Sequence, residues 1–372
     1  MLVDHAEQVP YLASLAAQSG GLLPQVFLKV DMGTHRAGVP LPAAPAATST
    51  DSQCARVAAA ILRAEAAGHC VFRGLYAHAG HSYSTRRDWE ALGILRAEFD
   101  ALRRVAHDVV RPAREAASSS SHSSAEPFVL TVGATPTATS LQHPGFLSSS
   151  AREQGGLKEE AAKTEEEEAR KEVGRLQALM AELRADGLAL EAHAGVYPTL
   201  DLQQVATHAR DGARHLAAEN VAVSVLADVA SVYAGRGGST DEALVNAGTL
   251  ALGREPVQNV GGVGGGYAAW GVVVPWNGAN VPEPVGSAFP AAGGHRGWQV
   301  GGISQEHGIL KWVGDAEDGV EPVPLRVGQR VRIWPNHACI ASAGYGQFLI
   351  VDSRNSGRED EIVDVWPRWR GW

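Results

Sequence analysis

Runs of apolar residues recur along the first two-thirds of the chain, at 26–31, 74–78, 128–133, 188–193 and 222–227, each closed by polar or glycine-rich residues. Unbroken apolar runs of this length predict strands buried on both faces. Between them, residues 51–67, 87–105, 175–185 and 202–217 repeat apolar positions at three- and four-residue spacing, which predicts helices packed by one face against a sheet. Alternating strand and helix implies right-handed crossovers and a parallel sheet, either open or closed into a (β/α) barrel.

Beyond residue 248 the helical periodicity ends. Short β-rich pieces follow, GWQVGGIS, GILKWVG, PLRVGQRVRIW, GQFLIVDS and DEIVDVW, separated by turn residues. They predict a second, antiparallel domain over 248–372 after an α/β domain over 1–247. Three stretches read as insertions: a serine tract near 112–127, a segment near 141–175, and a Gly/Pro-rich stretch near 261–297. Within the second, residues 157–173 carry seven acidic and four basic side chains, the pattern of a solvated helix leading into 175–185.

Composition narrows the function classes. With 372 residues, 45% hydrophobic and 20% charged, the chain can bury a substantial core. A net charge of -9 opposes phosphate neutralisation, so nucleic acid is not an expected partner. Three scattered cysteines, Cys54, Cys70 and Cys339, do not form a disulfide framework and suit a reducing, cytoplasmic setting. Neither a signal peptide nor a membrane span is expected.

Five segments carry chemistry. VGQRVRIWPNHAC ends with His337 and Cys339, which in an extended strand would face the same side and could meet one Zn²⁺. Two protein ligands leave positions open, as a catalytic zinc requires, although a core histidine beside an inert cysteine fits the same residues. GLYAHAGHSY clusters His78, His81 and Tyr83 at a strand end, where α/β folds place functional loops. KVDMGTHRAGV runs a strand bearing Lys29 and Asp31 into a turn presenting Arg36. VGATPTATS and HAGVYPTLD each follow a strand with small residues and hydroxyls suited to a phosphate.

Together with NAG at 246–248 and the piece Gln305, Glu306, His307, Gly308, these motifs resemble the D-serine dehydratase and D-threonine aldolase family, fold-type III pyridoxal-phosphate enzymes related to alanine racemase. The resemblance implies a TIM-like (β/α)8 barrel, here incomplete at its N-terminus, and a β domain carrying metal ligands. It implies pyridoxal 5'-phosphate approached by Arg36, with His78 against its ring and Tyr83 hydrogen-bonding in the site, the latter two as catalytic residues. The phosphate would rest on Thr135, with Thr137 second, and on the backbone of Gly195 and Val196 beside Tyr197; relatives usually carry asparagine where this chain has Val196. Zn²⁺ would be held by His337 and Cys339, and H-x-C resembles the dehydratases where the aldolases carry H-x-D.

The implied reaction is β-elimination of water from D-serine to give pyruvate and ammonia. A D-threonine aldolase, another D-3-hydroxyamino acid lyase, or a non-catalytic cofactor- or amino-acid-binding remnant are the alternatives. A homodimer is expected by the same resemblance. The family's Schiff-base lysine, in a segment like H-x-K-T-H-K, has no counterpart in residues 1–372, and Lys29 matches a different lysine. Residues 1–9 match the end of the family's third strand, so this chain alone is expected to be inactive or nearly so.

Overall fold

A computed structural model describes the chain except residues 43–51, 118–125, 147–159, 211–219, 239, 258–266, 275–296, 315–321, 353, 356 and 370–372. Two compact units divide at Gly195/Val196. The serine tract of 118–125 and most of the Gly/Pro-rich stretch lie outside the described residues.

The first unit is built on a parallel sheet of β1 (Leu2–Val3), β2 (Gln25–Val30), β3 (Val71–Ala77), β4 (Val129–Val132) and β5 (Ala189–Ala192), in that order. Helices α1 (Tyr11–Gln18), α2 (Gln53–Ala66), α3 (Asp88–Val105), α4 (Arg111–Ala117), α5 (Thr135–Ser140) and α6 (Glu160–Ala185) accompany it. Each follows from its local sequence. The Ser52 hydroxyl caps α2 by accepting from the Ala55 N–H at 3.1 Å, and Gly68, at φ +73°, releases the chain beyond its end. On α6, Ala169, Val173, Leu176, Leu179 and Leu183 are buried at three- and four-residue spacing, so the charged run continues into an amphipathic helix. Arg96 of α3 reaches Glu172 of α6 at 2.9 Å.

In-register pairing aligns Val3, Leu28, Leu75, Leu130 and Leu190 across all five strands. The first four are at most 2% exposed and belong to the core shared with the helices. Each fully buried leucine contributes roughly 1.5–3 kcal/mol. The next residues, Lys29, Tyr76, Thr131 and Glu191, align in a second row. Because successive side chains alternate in direction, this row faces the other side of the sheet. Glycine is needed at Gly74, where an added Cβ would lie 2.0 Å from the Val129 carbonyl oxygen.

The second unit holds a closed antiparallel barrel ordered β10-β7-β6-β11-β8-β9. After α7 (Leu202–Thr207) come β6 (Val225–Tyr233), β7 (Glu242–Val245), α8 (Thr249–Leu252), β8 (Gly271–Val274), β9 (Gly297–Ile303), β10 (Gly308–Val313) and β11 (Arg330–Pro335). Then follow α9 (Ala338–Ala343) and a separate pair, β12 (Gln347–Val351) and β13 (Ile362–Pro367). Trp298, 1% exposed, anchors the barrel core, donates to the Val323 carbonyl at 2.8 Å and packs edge-to-face on Trp312.

Three expectations are corrected. Residues 222–227 do not supply a parallel strand: β6 pairs antiparallel with β7 and β11. An apolar run reads alike in either sheet type, and its neighbours decide. The fifth parallel strand is Leu2–Val3, too short to show a period, and the division consequently falls at Gly195/Val196, upstream of 247/248. The helix expected over 202–217 ends at Thr207, where His208 turns left-handed at φ +48°.

Candidate active site

The polar row of the first unit lies toward the C-terminal ends of its strands, the position at which parallel sheets bind ligands. Lys29, 8% exposed, sits with its ammonium 4.7 Å from the centre of the Tyr76 ring. His193 stacks on the same ring at 4.2 Å and 13°. The Thr131 hydroxyl donates to Glu191 Oε1 at 2.8 Å and lies 3.0 Å from His193 Nδ1. With its proton committed to the carboxylate, the hydroxyl accepts from His193, which assigns the proton to Nδ1. Burial, then the nearby His78, lowers the His193 pKa to about 4, so the ring is neutral at pH 7.

His78 follows β3, and its Nδ1 donates to the Gly133 carbonyl at 3.0 Å, since a carbonyl only accepts. Its pKa is lowered by burial and by the charge of Arg36, leaving Nε2 an unprotonated acceptor. The same two causes, in the same order, lower the Lys29 pKa.

Arg36 stands on a closed loop. The Asp31 N–H donates to the Val39 carbonyl at 2.9 Å, the Val39 N–H to the Lys29 carbonyl at 2.9 Å, and Asp31 Oδ1 accepts from Gly33 and His35. Gly38, at φ +115°, closes it where a Cβ would lie 2.6 Å from the Asp31 nitrogen. Arg36 itself is exposed. His81 and Tyr83 lie on a short 3₁₀ turn, Gly80–Ser84, separated from His78 by Ala79.

Thr135 and Thr137 are both buried in α5. The Thr137 hydroxyl accepts from the Ala134 N–H at 2.9 Å and donates to Glu98 at 3.1 Å, so it serves the fold. Glu98, fully buried on α3, also accepts from the Ala79 N–H at 2.9 Å and the Gly133 N–H at 3.3 Å. Gly195 is exposed at the end of the first unit.

In the second unit, Val196 is buried and its carbonyl accepts from Thr199 and Leu200, while Tyr197 is 42% exposed. His337 and Cys339 do not share one extended strand: β11 stops at Pro335, His337 is the extended residue before α9, and Cys339 is helical. Spacing alone does not reveal that the chain turns into a helix between them. Among the described residues no group of three or more His, Cys, Asp or Glu is gathered for a metal ion.

The segment holding this pair is firmly anchored. The Asn336 amide donates to the carbonyls of Glu255 at 3.0 Å and Ala269 at 2.8 Å, and its oxygen accepts from the Tyr267 hydroxyl at 2.8 Å. Asp201 Oδ1 caps α7 through the Gln204 N–H at 2.9 Å, while Oδ2 accepts from the Ala338 N–H at 2.9 Å, between the two candidate ligands. Burial lifts the Asp201 pKa to about 7 against these hydrogen bonds. Burial and the Asp201 charge raise the Cys339 thiol, and burial lowers His337.

Sequence reasoning missed Glu98, Asp201 and the pairing of Thr131 with His193. A carboxylate inside the apolar stripe of Leu92, Leu95, Phe99 and Leu102, and an aspartate opening the helix at 202, were the available signals.

Comparison with known proteins places these features in context. The family described as "Putative serine dehydratase domain" matches residues 222–351. The D-serine dehydratase of Schizosaccharomyces pombe is 30% identical over 380 residues, covering all of this chain and 67% of that protein. Among solved structures, the metal-free form of a cysteine-to-alanine variant of D-threo-3-hydroxyaspartate dehydratase aligns with a TM-score of 0.57 at 23% identity, over all of this chain and 72% of that one. An alanine racemase-like protein of Idiomarina loihiensis gives 0.57 at 23% identity, over all of this chain and 71% of that one. These two likenesses show a shared alanine racemase-like fold.

Proposed function

We propose, from the premise that the chain belongs to the D-serine dehydratase family, that it eliminates water from D-serine to give pyruvate and ammonia, using pyridoxal 5'-phosphate and zinc. The parallel sheet is then part of a (β/α)8 barrel, and the setting is cytoplasmic and homodimeric. The observation that carries the reading is the face formed by Lys29, Tyr76, Thr131, His78 and His193 at the strand ends: a neutral, fixed imidazole beside a cationic loop suits a flat, anionic cofactor.

His78, its Nδ1 tied to Gly133, would pack on the cofactor, Arg36 would meet its negative charge, and Tyr83 would hydrogen-bond in the site. Thr135, at the start of α5, would take the phosphate, with Thr137 second; the Thr137 hydroxyl also accepts from the Ala134 N–H and donates to Glu98. The backbone N–H groups of Gly195 and Val196 contribute beside Tyr197, and Val196 loses nothing if only its N–H is used. Pyridoxal phosphate, when bound, supplies the electron sink for charge developing at Cα. His337 as a neutral imidazole and Cys339 as a thiolate would hold the metal, which when bound would polarise the substrate hydroxyl. That a structure of D-threo-3-hydroxyaspartate dehydratase is described as the metal-free form supports metal binding in this fold.

The test is titration of the purified chain with pyridoxal phosphate and Zn²⁺, followed by D-serine or D-threonine. Expected are cofactor and metal uptake, and pyruvate as the product wherever D-serine is turned over. Glycine and aldehyde from D-threonine, or uptake of neither cofactor nor metal, would overturn the reading.

A further inference from the structure

A helix that needs only to bury one face takes apolar residues there, yet α3 places Glu98 at 0% exposure among Leu92, Leu95, Phe99 and Leu102. Burying a carboxyl is unfavourable unless donors meet it. Three do: the N–H groups of Ala79 and Gly133 on Oε1 and the Thr137 hydroxyl on Oε2. Ala79 is the residue after His78, and Gly133 supplies the carbonyl to which His78 donates. Gly133 is itself set by the backbone, at φ +138°, where a Cβ would lie 2.3 Å from the His193 carbonyl oxygen. One side chain thus grips both ends of the seat of His78, on loops from two neighbouring strands.

We propose that Glu98 is a positioning residue, which holds the loops after β3 and β4 so that the His78 ring is presented to the cofactor. The inference rests on the reading of that face as the cofactor site. Burial also lifts the Glu98 pKa to about 7, which accords with a carboxyl retained for its contacts at some cost in solvation.

E98Q and E98L separate this role from simple packing. The glutamine keeps an acceptor for both backbone N–H groups, and its amide can donate to the Thr137 hydroxyl, which then donates to the Ala134 carbonyl, 3.2 Å away. Its dissociation constant for pyridoxal phosphate, read by quenching of tryptophan fluorescence, is expected within about twofold of wild type. The leucine fills the space without acceptors; a loss of about tenfold or more is expected, with a shift of the His78 ring resonances in NMR spectra. A cooperatively melting E98L with wild-type affinity and unmoved His78 resonances would overturn the proposal. Should E98L not fold, E98D takes its place: one methylene shorter, it cannot hold all three donors, and unchanged binding and resonances would be equally decisive. If wild type binds no pyridoxal phosphate, the cofactor reading fails, while the NMR comparison still decides whether Glu98 seats His78.

Discussion

Replacing Asp201 with alanine probes the anchoring of the candidate metal ligands more directly than replacing a ligand. Its two oxygens accept from the Gln204 and Ala338 N–H groups at 2.9 Å each, and the side chain is fully buried. Each N–H left buried without an acceptor costs about 1–3 kcal/mol. Removing a carboxyl whose pKa burial has raised to about 7 returns part of this, so a net loss of about 3 kcal/mol is expected. The second consequence is local. The first turn of α9 loses its tether at Ala338, between His337 and Cys339, and both ligands gain freedom that metal binding must remove. Urea unfolding would measure the stability, and the visible bands of bound Co²⁺ would measure metal affinity, expected to fall about tenfold. D201A with stability within about 0.5 kcal/mol of wild type and unchanged Co²⁺ affinity would refute both arguments.

Other outcomes follow from single contacts. Cys339→Ser should remove the thiolate-to-Co²⁺ absorption and metal-dependent turnover while sparing pyridoxal phosphate uptake; full retention of metal would displace Cys339 as a ligand. Gly74→Ala forces a methyl against the Val129 carbonyl of the adjacent strand and should lower stability by about 3 kcal/mol in chemical denaturation, a wild-type midpoint being the refuting result. Burial lifts Glu98 from 4.5 to about 7, so between those values the folded protein keeps a proton that the unfolded chain releases. That contribution is full below the lower value and lost as pH rises through the upper. Between about pH 5 and about pH 8 the unfolding midpoint of wild type should therefore drop more than that of E98Q. His193, lowered to about 4, acts in the opposite direction in both proteins and cancels in the comparison.

The strands β2 to β4 were legible because both of their faces are covered for most of their length, which turns period-two alternation into near-continuous apolar runs; β5 is legible from its run of apolar residues although its own side chains are half-buried or exposed. The polar exceptions, Lys29, Tyr76, Thr131 and Glu191, were hard to interpret for the same reason: one polar residue in an apolar run reveals nothing about its cross-strand partners until register is known. Register also explains the misplaced fifth strand, since nothing local to Ala222 through Ala227 states whether its partner runs with it or against it. The motifs carrying His78, Arg36 and Thr135 were visible, whereas Glu98, and Asp201 in its contact with Ala338, accept from backbone N–H groups far away in sequence, contacts that leave no spacing to read; only the cap of Asp201 on Gln204 is local.

The alternation of the leucine row with the row of Lys29, Tyr76, Thr131 and Glu191 has an evolutionary side. Because the two rows share the same strands one residue out of phase, substitutions can retune one without disturbing the other. A one-residue insertion or deletion within any of these strands would exchange them, driving charge into the apolar layer and leucine onto the chemical face. Point changes are therefore open to this sheet as a route to new specificity, while changes of length are confined to the loops.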